Sequence, residues 1–499
     1  MIQSITAAAY IEMIKSGAAL LERNKQFVNE LNVFPVPDGD TGTNMSMTIN
    51  AGVTALTQKS PDTITAAADC AAGALLRGAR GNSGVILSQI FKGVSRELTD
   101  NATVNVEDVQ RAFSNGSRIA YKAVMRPVEG TILTVIRECA EGGEKYLKKH
   151  QDASFEEYFN ELSKLAHKAL ESTPDLLPVL KEAGVVDSGG AGLTAIIDGC
   201  AAYFRNEPVQ LNGAEESTEA AADGYCVETT VLLNDLYKRE FSVSRLENSW
   251  NRTCNEIQIV RDGDSVRTHC HAQKPGDIIN TLTNFGDLDY VKVERLANGH
   301  NVTQDYSAVR SGLRKYAIIA VCNGKGIADK FRELKADYII NGGQTMNPAT
   351  EDFVKIIKDC NAENVFILPN NSNIIMASRQ AAQLCENINV EVIETRTIAE
   401  GLNACIYFSE ENSPTENTAA MKQAAEDIRT IQITNAIKNT SYNGIKIRKN
   451  DYLGMLDKDI VVSHRNILKA AKAVIDKLEG EDLSYFTIVY GNGTDENTA

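Results

Sequence analysis

The stretch from residue 32 to residue 45 reads Asn32-Val33-Phe34-Pro35-Val36-Pro37-Asp38-Gly39-Asp40-Thr41-Gly42-Thr43-Asn44-Met45. Pro35 and Pro37 fix φ and disfavour helix in the residues before them, which predicts an extended loop that enters a helix. Asp38 and Asp40 are two residues apart, and the neighbouring glycines let the backbone turn. Such paired carboxylates suit Mg²⁺, which binds a few carboxylates with phosphate oxygens and water. For the short string alone, a solvated Asp-Gly turn explains the pattern equally well.

Length and composition predict a multidomain globular protein. The chain has 499 residues, which is about three domains at roughly 100–200 residues each, and 43% of them are apolar. The net charge of −15 argues against binding to nucleic acid or anionic membranes. Neither an apolar run of about 18–20 residues nor a signal peptide is recognisable. Ten cysteines without a C-x-x-C pair fit the reducing cytoplasm, so a cytoplasmic location is predicted.

Residues 1–205 are predicted to form an all-α domain. Apolar residues recur every three or four positions from Ile11 to Leu21, which gives a helix one apolar face. The alanine-rich run at residues 65–72 is a good helix former. Further amphipathic stretches cover residues 106–124, 155–170 and 193–204, and no alternating strand pattern of useful length appears.

Three glycine-bearing connections in this domain are candidates to meet the aspartate loop. Residues 77–85 carry a Gly-Asn-Ser-Gly turn before a helix predicted from Val85, and helix N-termini attract phosphate. Residues 127–133 and 187–192 precede two further helices, the second with three glycines in four positions. Plain helix capping is the alternative for the first two, whereas the three glycines of the third indicate a close approach to its backbone. P-loop and protein-kinase motifs are missing from the sequence, so a nucleotide site here has to be of the aspartate–metal type.

Residues 206–223 read as a flexible linker, and residues 224–310 as a small α+β domain. His269 and His271 alternate on a predicted strand and therefore face one side. With Cys226 from an earlier strand they form a candidate Cys/His/His zinc site. One alternative to a zinc site is that the two histidines are only hydrogen-bonded within the strand. Another is that they act as a phosphate relay or as general acid–base groups. Cys270 should face the core.

Residues 311–499 are predicted to form an α/β domain. Apolar runs of strand length at residues 316–321, 337–340, 365–368 and 390–393 alternate with helical segments, which predicts a parallel sheet. Loops rich in asparagine and glycine follow these strands at residues 323–326, 341–348 and 369–373. Ligands of such sheets bind at the carboxyl ends of the strands, although ordinary turn chemistry explains these loops as well.

The aspartate loop resembles the metal loop of dihydroxyacetone-kinase L-subunit-like domains, and more closely that of the bacterial fatty acid kinase A subunit. Residues 266–279 are similar to that family's middle domain, and residues 342–350 and 368–376 are similar to its third domain. The resemblance implies a barrel of about eight helices in which Asp38 and Asp40, with Asn32, hold two Mg²⁺ ions that bridge the phosphates of ATP. It implies that Cys226, His269 and His271 bind Zn²⁺. The nucleotide-binding residues that it implies are Thr41, Thr43, Asn44, Gly81, Asn82, Ser83, Gly84, Thr131, Asp187 and Gly189.

The resemblance also implies a function and a partner. The chain would be the ATP-binding subunit of a fatty acid kinase, with Asp38 and Asp40 as its catalytic pair. It would phosphorylate a fatty acid presented by a separate DegV-type B subunit, and the third domain is itself DegV-like. The family usually continues past residue 491 into another helix and a strand, so the last elements are expected to be missing. The alternatives are a subunit of a small-ketone kinase and a non-enzymatic nucleotide-dependent scaffold, and a homodimer remains open.

Overall fold

The structure is a computed structural model. It describes residues 4–33, 38–99, 103–210, 225–235, 237–250, 254–262, 264–295, 313–343, 347–436, 440–442, 444–457, 459–480 and 486–490. The chain divides into two compact units, one made of Met1–Leu211 with Asp305–Ala499 and the other of Asn212–Gln304. Helices with the length and apolarity of a bilayer-spanning segment are absent from the described residues.

The first part of the larger unit is all-α, as predicted. Nine helices occur among its described residues: α1 (Ala7–Leu31), α2 (Thr41–Lys59), α3 (Ile64–Gly78), α4 (Gly81–Glu97), α5 (Val106–Ala123), α6 (Ile132–Leu147), α7 (Phe155–Leu176), α8 (Pro178–Ala183) and α9 (Ser188–Phe204). The helix α8 has only six residues, so the expectation of about eight helices is confirmed. Their apolar faces enclose one core, in which Leu21, Met45, Ile49 and Phe155 are fully buried.

The helix α4 begins earlier than the sequence predicts. The Gly-Asn-Ser-Gly segment forms its first turn, whereas the expected start was Val85. The prediction was wrong because glycine has low helix propensity in isolation, and tertiary packing overrides that preference here. A Cβ atom on Gly84 would lie 2.3 Å from Thr48 Oγ1 of α2, so only glycine lets the first turn of α4 pack this closely.

The smaller unit is an antiparallel sheet with short helices, in agreement with the predicted α+β class. Its strand order is β2-β3-β1-β4. The elements are β1 (Tyr225–Leu233), α10 (Tyr237–Glu240), α11 (Val243–Trp250), β2 (Cys254–Asp262), β3 (Ser265–Ala272), α12 (Pro275–Thr283) and β4 (Gly286–Arg295). Cys270 is fully buried in the core of this unit, as its strand position predicts. Residues 211–224, most of the predicted linker, lie outside the described residues.

The second part of the larger unit contains the predicted parallel sheet, with strand order β6-β5-β7-β8. Its elements are β5 (Arg314–Cys322), α13 (Lys325–Glu333), β6 (Tyr338–Asn341), α14 (Thr350–Asp359), β7 (Ala362–Leu368), α15 (Ile375–Leu384), β8 (Asn389–Val392), α16 (Ile398–Ile406) and α17 (Pro414–Glu426). Each of the four predicted strands overlaps one of these strands. The central strands β5 and β7 are almost continuously apolar and buried, as expected for a sheet covered on both faces.

An antiparallel sheet that the sequence did not reveal follows the parallel one. It has the order β13-β12-β9, beside a hairpin of β10 and β11. The elements are β9 (Ile431–Asn435), β10 (Thr440–Tyr442), β11 (Ile445–Ile447), β12 (Tyr452–Leu456), β13 (Asp459–His464) and α18 (Ile467–Ile475). Residues 491–499, where the domain was expected to be shortened, lie outside the described residues.

The helical part and the parallel sheet share a hydrophobic core. Ala79, the residue after α3, and Val85 of α4 are buried in the same cluster as Val321, Ile340 and Phe353 of the sheet side. Polar bonds cross the same boundary, because the backbone N–H of Thr350 donates to the carbonyl of Ala79 over 3.1 Å. The two parts are therefore packed like one domain, and the loops after β6 and β7 come to lie beside the start of α2.

Candidate active site

Asp38 and Asp40 lie between α1 and α2 with their carboxyl groups in hydrogen-bond contact. Gly39 between them has a φ of +67°, a conformation that favours glycine. Burial, and then the neighbouring charge of Asp40, raise the pKa of Asp38 to about 8. Burial also raises the pKa of Asp40, whose side chain is only 6% exposed. Two carboxylates this close and this poorly hydrated need a cation or a proton to coexist.

Asparagine amides surround both carboxylates. Asn32, the residue after α1, donates from Nδ2 to Asp38 Oδ1 over 2.6 Å, and Asn373 donates to Asp38 Oδ2. Asn347 donates from Nδ2 to Asp40 Oδ2 over 2.5 Å. These amides satisfy the acid oxygens and hold both carboxyl groups in fixed orientations. The loop between β6 and α14 supplies Asn347, and the loop after β7 supplies Asn373.

Three asparagines of this region have an amide oxygen without a hydrogen-bond partner among the described residues. Among the described residues, the Oδ1 atoms of Asn32, Asn82 and Asn347 are buried and have no hydrogen-bond partner. Buried acceptors without a partner are costly and indicate a missing donor or cation. Carboxylate and amide oxygens are hard ligands, so this set of donors fits Mg²⁺. Asn32, Asp38 and Asp40, the three magnesium ligands that the sequence predicts, are thus brought together.

The N-terminus of α4 lies against that of α2. Gly81 has a φ of +58°, and a Cβ atom on it would lie 2.6 Å from Asn44 Nδ2. Asn44 in turn donates a side-chain hydrogen bond to Asp40. Asn82 donates from Nδ2 to Asn373 Oδ1 over 3.0 Å, and Ser83 is in the same helical turn. The predicted Gly81–Gly84 segment is therefore adjacent to the aspartate pair, with the positive end of the α4 dipole beside it.

The N-terminus of α9 contacts both α2 and α6. Ser188 Oγ donates to Thr41 Oγ1 over 3.2 Å. Asp187 caps α9 by accepting from the Gly190 N–H at 2.6 Å, and it also accepts from the Ile132 N–H at the start of α6. Burial raises the pKa of Asp187 to about 7. A Cβ atom on Gly189 would lie 3.3 Å from Ile132 Cβ, so the two helix starts touch.

Two of the proposed nucleotide contacts have local structural roles. Thr131 is the N-cap of α6, where Oγ1 accepts from the Leu133 N–H and donates to the Val128 carbonyl over 2.8 Å. Thr43 is held by Asn29, which accepts from the Thr43 N–H at 3.1 Å and donates to its Oγ1 at 3.0 Å. Thr131 therefore fits the helix-capping alternative, whereas Thr43 is fixed by its bonds to Asn29, and contact of either residue with a nucleotide stays a prediction.

Sequence reasoning missed three residues of this region. Asn347 and Asn373 were noted as parts of asparagine-rich loops at strand ends and of segments similar to the family's third domain, but neither was given a role. Arg80 is the N-cap residue of α4 and donates from Nη1 to the Asn347 carbonyl over 2.8 Å. The available signal was the rule that ligands bind at the carboxyl ends of parallel strands. It could not show that these ends face the aspartate loop more than 300 residues earlier in the chain.

The candidate zinc residues lie on neighbouring strands of the smaller unit. The antiparallel register of β1 and β3 places Cys226 directly opposite His271, and Glu228 opposite His269. The side chains of Cys226 and His269 are outside the described residues. Among the side chains that are described, no group of three or more histidines, cysteines, aspartates or glutamates is placed to hold a metal ion. Zinc binding remains a prediction that the strand register permits.

Family models match three consecutive parts of the chain. A DAK2 domain matches residues 35–202, which contain both aspartates and the glycine-bearing helix starts. The model of the middle domain of fatty acid kinase A-subunit-like proteins matches residues 222–303, and the corresponding C-terminal model matches residues 317–499. These matches define a kinase-related subunit with three domains.

Whole-length relatives point the same way. Protein YloV of Bacillus subtilis is 37% identical, and the match covers 100% of this chain and 94% of the relative. An uncharacterized protein of Staphylococcus epidermidis is 36% identical over the same shares, and one of Staphylococcus saprophyticus is 35% identical over 99% of this chain and 94% of the relative. The chain belongs to the fatty acid kinase A-subunit-like family, as its aspartate loop indicated.

Proposed function

We propose that this chain is the ATP-binding subunit of a fatty acid kinase. It transfers the γ-phosphoryl group of Mg·ATP to the carboxylate of a fatty acid carried by a separate DegV-type subunit. The observation that carries the proposal is the aspartate pair, with Asp40 buried and Asp38 partly buried, held by asparagine amides beside three amide oxygens that have no hydrogen-bond partner among the described residues. Family membership supports the fatty acid as the acceptor and a second protein as its carrier.

The proposed reaction needs positioning and charge neutralisation more than acid–base chemistry. A carboxylate oxygen of the fatty acid forms a bond to the γ-phosphorus, the bond from that phosphorus to the bridging oxygen of ADP breaks, and ADP leaves with the electron pair. An ordinary carboxylic acid is ionised at neutral pH, so no general base has to remove a proton from the acceptor. The absence of P-loop and protein-kinase motifs from the sequence agrees with a phosphate site built from aspartates, a metal ion and helix N-termini.

The chain's own residues have two roles in the proposed reaction. Asp38 and Asp40, with Asn32, hold Mg²⁺, which when bound neutralises phosphate charge and orients the transferred group. The first turn of α4 begins before the first helical hydrogen bond, which runs from the Gly84 N–H to the Arg80 carbonyl, and its earlier N–H groups and the helix dipole are proposed to bind the phosphates. The starts of α2, α6 and α9 surround the same region and are proposed to hold the remainder of the nucleotide.

Phosphoryl transfer from labelled ATP tests the proposal. Purified chain with Mg²⁺ is incubated with and without a fatty-acid-loaded DegV-type protein, beside Asp38→Ala and Asp40→Ala chains. We expect label in acyl phosphate, trapped as a hydroxamate by hydroxylamine, only with the partner and both aspartates. Tight ATP binding without transfer would overturn the proposal in favour of a regulatory scaffold. Transfer to dihydroxyacetone instead of the fatty acid would identify a ketone kinase.

We also propose that Cys226, His269 and His271 bind one Zn²⁺ ion. The support is the β1–β3 register, which sets Cys226 opposite His271, together with the imidazole and thiolate ligands that zinc prefers. Metal analysis of the purified chain should find about one zinc per chain, and a Cys226→Ser chain should lose it. Full zinc content in Cys226→Ser would contradict this assignment. Zinc-free wild-type chain would favour the phosphate-relay role for the two histidines.

A further inference from the structure

The carboxyl end of the parallel sheet reaches the aspartate pair through two side chains. Asn347 is 3% exposed and donates to Asp40, and Asn373 is 6% exposed and donates to Asp38. The loops that carry them follow β6 and β7, which flank the central strand β5 on its two sides. The edge where such sheets bind ligands therefore faces a site that belongs to another part of the chain.

Both asparagines are themselves held in place. Arg80 donates to the carbonyl of Asn347 over 2.8 Å. Asn82 donates to Asn373 Oδ1 over 3.0 Å, and the Asn373 N–H donates to Asn371 Oδ1 over 2.8 Å. The boundary around them is packed with buried apolar side chains, including Ala79 and Val85. Asn347 and Asn373 are therefore held by hydrogen bonds at a closely packed boundary.

The hydrogen bonds leave room for a cation. Each amide donates to one oxygen of an aspartate, and a carboxylate oxygen has a second lone pair for a metal ion. Asn347 also has the buried Oδ1 atom that finds no hydrogen-bond partner among the described residues. Partners that orient carboxylate ligands are as much a part of a metal site as the ligands themselves.

We propose that Asn347 and Asn373 are positioning residues for a divalent cation, so that the site is complete only with the parallel sheet docked on the helical domain. This inference rests on the proposed cation site at Asp38 and Asp40. It extends that site from one domain to two, and it gives the third domain a direct part in binding metal and phosphate.

Manganese binding to the full chain tests the inference without an activity assay. Mn²⁺ affinity is measured by electron paramagnetic resonance for the wild type, Asn347→Leu and Asn373→Leu. Loss of a group that orients a metal ligand typically weakens binding about 10- to 100-fold, and we expect that range for both variants. Thermal melting confirms that each variant is folded. Where a leucine variant fails to fold, the smaller Asn347→Ala or Asn373→Ala takes its place.

Gln380→Leu is the matched control. Gln380 crosses the same boundary, since its amide donates to the Leu76 carbonyl and its Oε1 accepts from Gln89 at 2.7 Å. Its recorded hydrogen bonds go to that boundary and not to the aspartates. The variant removes hydrogen bonds between the two parts and should keep the Mn²⁺ affinity of the wild type. An equal loss in Gln380→Leu would overturn the inference, because the effect would then be one of docking in general.

The remaining outcomes separate this inference from the proposed function. Unchanged affinity in both asparagine variants overturns the inference alone. Tighter binding overturns it too, since the amides would then compete with the cation. If the wild type shows no saturable Mn²⁺ binding, or Asp40→Ala retains it, the cation site itself is refuted and the inference falls with it.

Discussion

Asp40 and Asp187 occupy equivalent places on two helices but differ in what they bind. Each is the N-cap residue of its helix, each is nearly buried at 6% and 5% exposure, and burial raises the pKa of each. Asp187 caps α9 by accepting from the Gly190 N–H. Within the described residues Asp40 makes no capping bond, and Asn347 and Asn44 donate to it instead.

The difference separates a structural carboxylate from an available one. Backbone N–H groups from α9 and α6 use the oxygens of Asp187, which leaves little for a ligand. Asp40 is oriented by side chains and faces a second carboxylate, Asp38. Because the Asp40 side chain does not cap α2, its carboxylate oxygens remain available to bind a cation. We therefore expect removal of each aspartate to affect a different property of the protein.

Cation binding should show the largest contrast. One unit charge at about 4 Å contributes about 4 kcal/mol near a protein surface, which is about 10³-fold in affinity. We expect Asp40→Ala to weaken Mn²⁺ binding by about that factor, and Asp187→Ala to change it less than about threefold. Titration of both variants by electron paramagnetic resonance checks this. Comparable losses in the two variants would contradict the comparison, because Asp187 would then belong to the cation site.

Stability should show the opposite contrast, with a smaller size. Asp187→Ala removes the cap of α9 and leaves buried N–H groups of Gly190 and Ile132 without an acceptor. We expect it to cost about 1–3 kcal/mol. Asp40→Ala leaves the Asn347 and Asn44 amides without their acceptor but also relieves the repulsion between two neighbouring carboxyl groups, so its net cost in metal-free protein should stay below about 1 kcal/mol. Thermal unfolding in the presence of a chelator measures both. A larger loss in Asp40→Ala would show that Asp40 is the more structural residue.

Two glycine-to-alanine substitutions, one near each aspartate in the folded chain, test the comparison with smaller changes. Gly81 has a φ of +58°, and an added Cβ would press on Asn44, which donates to Asp40. We expect Gly81→Ala to cost about 1–2 kcal/mol and to weaken Mn²⁺ binding severalfold. Gly189→Ala adds a Cβ 3.3 Å from Ile132 Cβ and from Asp187 Oδ2 while raising helix propensity, so its net cost should stay within about 1 kcal/mol. Equal Mn²⁺ affinities in Gly81→Ala and Gly189→Ala would show that Gly81 does not support the cation site.

Local sequence was enough to predict several helix starts, the parallel strands and the aspartate pair. The starts of α2, α6 and α9 follow from glycine, proline and capping residues, and the parallel strands follow from apolar runs bounded by turns. The aspartate pair could be found because its two members are two residues apart in one loop. Features of this kind are encoded within a short window, where backbone preference and spacing decide the outcome.

The remaining features could not be predicted because they depend on distant contacts. The burial that raises the pKa of Asp38 comes with the packing of several elements. The amides of Asn347 and Asn373 reach the aspartates across more than 300 residues of sequence. The early start of α4 depends on Gly84 fitting against Thr48. The sheet of β9, β12 and β13 could not be predicted because its strands are short and half-buried and show no clear alternation of apolar and polar residues.

The pH dependence of the Asp187 cap should give the smallest effect. Burial raises the pKa of Asp187 to about 7 in the folded chain, from 3.8 as the ordinary value. The folded state therefore binds the proton more tightly than the unfolded state. The resulting stabilisation is complete below about pH 4 and is lost as the pH rises through 7. Between pH 6.5 and 8 the free energy of unfolding should fall by about 0.8 kcal/mol, because each unit of pKa difference corresponds to about 1.4 kcal/mol.

Comparison with Asp187→Ala isolates this effect, because every other group titrates in both proteins. The melting-temperature advantage of the wild type over Asp187→Ala should shrink by about 2 °C from pH 6.5 to 8 in metal-free buffer. Asp40→Ala does not serve as a control at this step, because the pKa of Asp38, about 8 in the folded chain, depends on the charge of Asp40 and Asp38 titrates over the same range. If the advantage grows with rising pH, the two N–H donors outweigh burial and stabilise the ionised form. Asp187 would then hold its negative charge at neutral pH, and the contrast with Asp40 would lie in hydrogen bonding alone.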